Sequence, residues 1–249
     1  MPKSFRSRVV NLSLRGMTEA ERFRMGLPTL TGLLQTVKEN GFLPRTIIDV
    51  GANVGDWTRM AASVFPSSRF LMFDGDPDNK PELQKLQSLI GDKSEYSILL
   101  LGPEKKEEVT FYKLGTGSSV LPELTSFERT AVTLPMHTLD GFLDGRELES
   151  PVLLKLDVQG FELEILRGAR KTLRGSEVAI LETSLLPYNE GAPLLSEVVA
   201  FMAEEDFVAF DFCGQTRRQS DHALFQTDVV FAKKDSNLRA RRKFFLHEP

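Results

Sequence analysis

The chain has 249 residues, of which 41% are hydrophobic and 27% are charged, a composition that suits one α/β domain with attached helices. Its net charge of −4 gives no reason to expect nucleic acid as a partner, and its single cysteine, Cys213, excludes an internal disulfide and a cysteine metal cluster. The sequence shows neither a signal-peptide apolar run nor the ~20 apolar residues that span a bilayer. We therefore expect a cytoplasmic protein without an integral membrane segment.

The first 45 residues predict a helical extension. A helical pattern runs over Thr18–Asn40 and breaks near Gly26–Pro28. Thr29 has the side chain of a helix N-cap, and Gly41 is a stop signal after the second helix.

From residue 46 the pattern changes to short apolar runs that alternate with amphipathic helices, which is typical of βαβ units. The runs are continuous rather than alternating, as expected for parallel strands that are buried on both faces. The predicted strands are Thr46–Val50, Arg69–Phe73, Tyr96–Leu101, Val152–Asp157 and Val178–Glu182. The predicted helices are Asp56–Phe65, Pro81–Ile90, Phe161–Leu173 and Pro193–Glu204.

A strand that does not fit this rhythm is predicted at Lys105–Leu114, followed by an irregular stretch from Gly115 to Asp140. Long loops in compact domains are usually functional or mobile. We interpret this stretch as a lid that faces the substrate.

The chain ends with two predicted strands, Phe207–Phe212 and Asp228–Ala232, joined by the polar loop Cys213–Thr227. Because no helix separates them, they form a hairpin, and one of them runs antiparallel to the rest. The predicted fold is a Rossmann-like, seven-strand, mostly parallel sheet with a C-terminal antiparallel hairpin, helices on both faces and the N-terminal helical extension. The domain spans residues 46–234, and the basic tail 235–249 is best interpreted as a solvated terminus, with a membrane surface or acidic partner as the alternative.

A glycine turn follows the first strand, with the spacing Gly51-x-Asn53-x-Gly55 after Asp49. Glycine allows a tight turn and a close backbone approach to a ligand, and the next helix directs its unpaired N–H groups there. The spacing is not the G-x-G-x-x-G of dinucleotide sites, so an NAD-dependent oxidoreductase is disfavoured. Asp49 suits a ligand with an ammonium or sulfonium group, or else braces the loop.

Two further strands deliver polar side chains to the same edge of the sheet. Asp74 ends the second strand, where a carboxylate can bind ribose hydroxyls, and Asp76 is its rival in a turn-forming sequence. The strand before Gly160 carries Lys155 and Asp157 on one face. In the helix that follows, Glu162 and Glu164 favour the helix dipole, and Glu162 is close enough to belong to the site.

Three segments carry a resemblance to the FkbM methyltransferase family: Ile48–Gly55, Phe73–Asn79 and Lys155–Glu162. They are similar to that family's I-D-V-G-A-N-x-G, F-E-P-x-P-x-N and K-I-D-V-E-G-x-E. Leu139-Asp140 and Ile180–Glu182 also match in order, so that the resemblance covers Thr46–Lys233.

The sequence departs from the family pattern at three positions: Asp74 stands for Glu, Gly75 for Pro and Gln159 for Glu. The shorter Asp74 carboxylate is expected to lie farther from the ribose than a glutamate would, and we assign no catalytic role to Gln159.

The resemblance implies S-adenosyl-L-methionine as cofactor and methyl transfer to a hydroxyl of a sugar, glycan or natural-product acceptor. The predicted catalytic residues are Asp157, Lys155 and Glu182, with Asp157 as the leading base or acceptor-orienting group. The predicted cofactor-binding residues are Asp49, Gly51, Asn53, Gly55, Asp56, Trp57, Asp74 and Asp157.

No obligatory metal is predicted, although the Asp157 and Glu182 carboxylates could hold a divalent ion. His137 and His222 lie near predicted site loops, but a lone loop histidine is more often solvated. The alternatives are an N- or protein methyltransferase on the same fold and a non-catalytic subunit that binds S-adenosylmethionine. An oligomer is compatible with the sequence.

Overall fold

A computed structural model describes residues 29–240 of the chain. The predicted helical pattern before Thr29 and the tail beyond Ala240 therefore lie outside the described residues. The second part of the N-terminal pattern is confirmed as helix α1, Leu30–Glu39, whose first turn is capped by Thr29: its hydroxyl accepts the Gly32 N–H at 3.1 Å.

The central element is a seven-stranded sheet with the order β3-β2-β1-β7-β8-β10-β9. Its strands are β1 (Thr46–Val50), β2 (Arg69–Asp74), β3 (Ser94–Ile98), β7 (Val152–Leu156), β8 (Val178–Ser184), β9 (Phe207–Arg217) and β10 (Leu224–Lys233). The first five pair in parallel, whereas β10 is antiparallel to both β8 and β9. The predicted sheet and its C-terminal hairpin are confirmed, but the predicted loop Cys213–Thr227 is too long, because β9 continues to Arg217 and β10 begins at Leu224.

Helices cover both faces of this sheet, as predicted. One face packs against α1, α2 (Asp56–Val64) and α3 (Lys80–Ile90). The other face packs against α4 (Leu139–Phe142), α5 (Glu162–Arg167), α6 (Arg170–Gly175) and α7 (Leu195–Glu204). β1 is buried throughout, because it lies in the middle of the sheet between two helix layers.

A second sheet with the order β4-β6-β5 corrects two expectations. Its strands are β4 (Leu100–Leu101), β5 (Lys106–Lys113) and β6 (Thr130–His137). The single strand expected at Tyr96–Leu101 is wrong, because the chain leaves the main sheet after Ile98 and joins the second one. The expectation of irregular structure up to Asp140 is also wrong, since Thr130–His137 forms β6, which pairs with β5 between Thr130 and Met136.

The continuous helix expected over Phe161–Leu173 is broken into α5 and α6. At the break, a Cβ on Gly168 would lie 2.1 Å from the carbonyl oxygen of Gly102, so that the backbones are in contact. Asp140 caps the new helix, because its carboxylate accepts the N–H groups of Lys171 and Thr172.

None of the helices found between residues 29 and 240 is long and apolar enough to cross a membrane.

Candidate active site

A cavity of about 350 Å³ lies at the carboxyl ends of β1, β2, β7 and β8. This edge is where open α/β sheets bind their ligands. Its polar wall includes Gly51, Asn53, Asp74, Asn79, Ser119, Asp157, Gln159, Glu182, Tyr188 and Gln226. Its apolar wall includes Phe73, Leu99, Leu100, Leu101, Phe111, Phe161 and Ile165.

The loop after β1 lies directly against the loop after β7. Gly51 has a φ of 77°, and a Cβ at this position would lie 1.9 Å from the carbonyl oxygen of Asp157. Only glycine combines that left-handed backbone with so close an approach. The turn therefore requires Gly51 in order to bring β1 and β7 together at the cavity floor.

Asp74, at the end of β2, fixes the next turn of this loop. Its carboxylate accepts hydrogen bonds from the Asn53 N–H at 2.7 Å, the Asp76 N–H at 2.8 Å and the Asn79 side-chain amide at 2.9 Å. A carboxylate has about four lone-pair positions, so capacity for one further donor remains toward the cavity. Burial raises the pKa of Asp74, and the three hydrogen bonds to its ionised form partly oppose that effect.

Asp76 has a different role from Asp74. Its side chain accepts the Asp78 N–H at 3.0 Å at the start of the short helix Pro77–Asn79, and it lies 3.1 Å from the Lys113 ammonium. It does not line the cavity. The turn and the ion pair account for this carboxylate.

Lys155 is a buried cation beneath the cavity floor. Its Nζ lies 3.1 Å from an Asp49 oxygen and 3.4 Å from an Asp157 oxygen, and 5.6 Å from the centre of the Trp57 ring. Burial alone would lower the pKa of Lys155, but the carboxylates of Asp49, Asp157 and Asp228 outweigh it and raise that pKa. Lys155 therefore stays charged and links the β1 acid to the β7 acid.

Asp157 and Glu182 form a carboxylate pair at the opposite end of the cavity from Asp74. The side-chain amide of Gln159 donates to Glu182 at 2.7 Å and to Asp157 at 3.2 Å. Gln226, on β10, donates to Glu182 at 3.3 Å. Burial raises the pKa of Glu182 well above its ordinary value, and the nearby Asp157 carboxylate raises it further.

Two more buried acids border this pair. The Glu162 carboxylate accepts the N–H groups of Val158 at 3.0 Å and Gly160 at 3.2 Å, and these hydrogen bonds fix the loop that carries Gln159. Burial raises the pKa of Glu162 to about 7. Burial, followed by the Asp157 charge, likewise raises the pKa of Asp228 to about 7. Four acidic side chains therefore lie at or next to this end of the cavity.

The sequence profile of the methyltransferase FkbM domain matches residues 49–209, which is more than half of the chain and includes both ends of this cavity. The chain belongs to the FkbM methyltransferase family. This confirms the predicted family, and with it S-adenosyl-L-methionine as the cofactor.

Three solved structures that are similar to this chain are distant from it in sequence. An FkbM methyltransferase from Methylobacillus flagellatus KT is 15% identical over 75% of this chain, with a TM-score of 0.49. This chain covers 43% of the length of that protein. A magnesium protoporphyrin IX methyltransferase from Synechocystis PCC 6803 with bound S-adenosylmethionine is 10% identical over 82% of this chain and 76% of its own, with a TM-score of 0.47.

The third structure is a 1,6-didemethyltoxoflavin-N1-methyltransferase from Burkholderia thailandensis with bound S-adenosylhomocysteine. It is 10% identical over 94% of this chain and 92% of its own, with a TM-score of 0.45. No curated protein sequence matches the chain.

The donor and acceptor groups that line the cavity of this FkbM protein suit the cofactor. Asp74 retains an acceptor position for a ribose hydroxyl, and the cavity volume is within the usual range of about 300–1,000 Å³ for small-molecule sites. Beside Asp74, Gly75 presents bare backbone: a Cβ there would lie 3.1 Å from Leu100 and 3.4 Å from Phe111. These two side chains give an apolar wall suited to a flat aromatic base.

Only part of the residue set predicted for the FkbM site lines the cavity. Gly51, Asn53, Asp74, Asp157 and Glu182 do so. Among the other predicted residues, Asp49 lies underneath, where it accepts the Thr58 hydroxyl at 2.6 Å and pairs with Lys155, and it matches the loop-bracing interpretation. Gly55, Asp56 and Trp57 also lie outside the lining, and Asp56 is exposed and paired with Arg59 at 2.7 Å. Neither His137 nor His222 lines the cavity.

Several lining residues were not predicted. Asn79 lay inside a quoted motif, but its contact with Asp74 depends on a turn of the chain. Gln226 and Tyr188 carry no recognisable pattern, because they reach the cavity only through strand pairing and the loop after β8. The first part of the expected lid, Gly115–Val120, does line the cavity.

No group of three or more histidine, cysteine or acidic side chains in the described part of the chain is arranged to hold a metal ion.

Proposed function

We propose that this FkbM protein transfers a methyl group from S-adenosylmethionine to a hydroxyl of a sugar, glycan or natural-product acceptor. The observation that carries the proposal is the distribution of polar groups in this cavity: Asp74 lies at the end of β2, and the Asp157–Glu182 carboxylate pair lies across the floor at the ends of β7 and β8. One end suits a ribose, and the other suits a hydroxyl that must lose its proton.

Asp74, Gly51 and Asn53 are the residues proposed to hold the cofactor. The Asp74 carboxylate would accept a ribose hydroxyl, and the Gly51 turn allows the ligand to approach the backbone closely. Asp49 and Lys155 would act from below by fixing this turn, since both are buried and paired with each other at 3.1 Å. Gly55, Asp56 and Trp57 would act only through the start of α2.

When bound, S-adenosylmethionine supplies a methyl group that is already activated by its sulfonium, so the protein has chiefly to align the acceptor and receive its proton. Asp157 is anchored by Lys155 and Gln159, which suits it to orient the hydroxyl. Glu182 has a raised pKa, which makes its ionised form a stronger base than an ordinary glutamate. The two carboxyl groups interact directly, because the Asp157 charge and a side-chain hydrogen bond with Asp157 both raise the pKa of Glu182.

An amine acceptor is the second candidate, because the acids Asp157, Glu182 and Asp228 would also attract an ammonium group. An amine nucleophile needs less help from a base than a hydroxyl does. The two candidates therefore differ in their dependence on Glu182: a hydroxyl acceptor requires its carboxylate, whereas a neutral amine acceptor does not.

The test has a binding arm and a turnover arm. Calorimetry should show binding of S-adenosylmethionine and S-adenosylhomocysteine but not of NAD. Formation of S-adenosylhomocysteine is then measured with sugars, polyols and amines as acceptors. Binding of NAD without a response to either sulfur ligand would overturn the cofactor site. Cofactor binding without turnover on any acceptor would favour the non-catalytic subunit, and turnover on amines alone would favour N-methylation.

A further inference from the structure

Gln159 occupies the point between the two carboxylates of the cavity. Its Nε2 lies 2.7 Å from a Glu182 oxygen and 3.2 Å from an Asp157 oxygen. A primary amide has two N–H donors, so each carboxylate can receive one of them. The side chain is therefore a neutral donor to both acids, whose carboxyl groups also contact each other.

The orientation of this amide is determined by its neighbours. Gln226 Nε2 lies 3.4 Å from Gln159 Oε1 and 3.3 Å from Glu182. The reversed amide would place a carbonyl oxygen against both carboxylates and a nitrogen against the Gln226 nitrogen. In this arrangement the amide nitrogen faces the acids.

The backbone of Gln159 is also held in place. Its φ of 56° lies in the left-handed region, and its carbonyl oxygen accepts the Ser119 hydroxyl at 3.1 Å. On either side, the Val158 and Gly160 N–H groups donate to the buried Glu162 carboxylate. An uncommon backbone conformation that is fixed from both sides indicates that the side chain is presented at a set position.

We propose, on the basis of the proposed function, that Gln159 is a positioning residue. Its amide holds the Asp157 and Glu182 carboxylates in the arrangement that receives the acceptor hydroxyl. Gln226 fixes the orientation of this amide. A neutral donor does this without a cation between the acids. A carboxylate at position 159 would remove the donors and add a third negative charge.

The test is a titration of the side-chain carboxyls by carbon NMR on the full chain with bound S-adenosylhomocysteine, assigned with Asp157→Asn and Glu182→Gln. The variants are Gln159→Asn, which suits a left-handed backbone but is too short to bridge both acids, and Gln159→Glu, which keeps the shape and reverses the hydrogen bonding. Hydrogen bonds to charged groups contribute about 1.5–3 kcal/mol, so each variant should raise the Glu182 midpoint by about one to two pH units. The other charged groups around the pair, Lys155, Glu162 and Asp228, are unchanged in both.

Gln84→Glu, on the exposed face of α3, is the charge control and should leave both midpoints at their wild-type values. Wild-type midpoints in both Gln159 variants overturn the proposal. In the wild type itself, the Gln159 amide protons should shift with the Glu182 titration, and their failure to do so overturns it whether or not the variants fold. Calorimetry distinguishes failure of the proposed function from failure of the role of Gln159. If the wild type does not bind the cofactor, the proposed function is wrong. If it binds the cofactor but the midpoints do not change in the variants, only the role of Gln159 is wrong.

Discussion

At the scale of single residues, Asp74 is expected to determine cofactor affinity. Asp74→Asn keeps the shape and removes the charge, so binding of S-adenosylhomocysteine should weaken by roughly 2–4 kcal/mol, the loss expected for hydrogen bonds to a charged acceptor. The matched variant Asp76→Asn retains its turn and should bind as the wild type does, because Asp76 lies outside the cavity lining. Calorimetry measures both. Equal affinity in Asp74→Asn and the wild type would contradict the ribose assignment.

The carboxylate pair should control turnover rather than cofactor binding. Asp157→Asn and Glu182→Gln should each lower kcat by roughly 10²–10⁴, the usual contribution of general acid–base assistance, and the double variant should be little worse than either one if they act as a unit. Because burial raises the pKa of Glu182, the wild-type rate should rise with pH until that carboxyl ionises, and Glu182→Gln should lack this rise. Glu164→Gln, in the exposed pair with Arg167, is the control. Full turnover in both pair variants would move the base to another residue.

At the scale of elements, the contact between the loops after β1 and β7 should tolerate no side chain at position 51. Gly51→Ala adds left-handed strain, typically about 1–3 kcal/mol, and also places a Cβ 1.9 Å from the Asp157 carbonyl oxygen. Gly145→Ala is the control, because Gly145 has a similar positive φ of 71° but nothing lies within 4 Å of its new Cβ. Denaturant unfolding should therefore show the larger loss of stability for Gly51→Ala, accompanied by weaker S-adenosylhomocysteine binding. Equal losses in the two variants would show that the close approach matters little.

An element could be predicted from the sequence when the residues that determine it lie within the element itself. The strand β1 and the helix α3 follow from local apolar patterns, and both were found within one residue of their observed bounds. Two other features depend on contacts that are distant in sequence. The helix break at Gly168 depends on the contact with Gly102, and the departure of the chain from the main sheet after Ile98 depends on pairing with β6. For the same reason Asp74 and Asp157 could be proposed from strand ends, whereas Gln226 required the register between β8 and β10.

At the scale of the whole molecule, the fold gathers its acids at one end of one cavity. The parallel strands β1, β2, β7 and β8 end at the same edge, and the antiparallel β10 brings Gln226 and Asp228 to that edge from the opposite direction. Lys155 is the cation that lies among these acids on β7. An excess of buried carboxyl groups over cations has consequences for stability as well as for catalysis, since each ionised acid in a poorly solvated site opposes folding.

The last prediction concerns that stability. Glu162 and Asp228 have pKa values raised to about 7, and the pKa of Glu182 is raised further above its ordinary value, in each case chiefly by burial. Between the unfolded value of 4.5 for a glutamate and about 7, the folded state holds protons that the unfolded chain has lost. The free energy of unfolding is therefore highest below the unfolded pKa, and it falls as the pH rises through the folded pKa. For Glu162 alone the loss is roughly 3 kcal/mol, and the coupled acids add to it without being strictly additive.

Chemical denaturation of the wild type at intervals between about pH 5 and pH 8 should show this decline. Glu162→Gln removes one titrating group and still offers an amide oxygen to the Val158 and Gly160 N–H groups, so its slope should be shallower, whereas Glu104→Gln on the surface should keep the wild-type slope. A wild-type stability that rises with pH across this window would mean that these carboxyls are ionised and well paired in the folded protein, because only then would folding favour the loss of their protons.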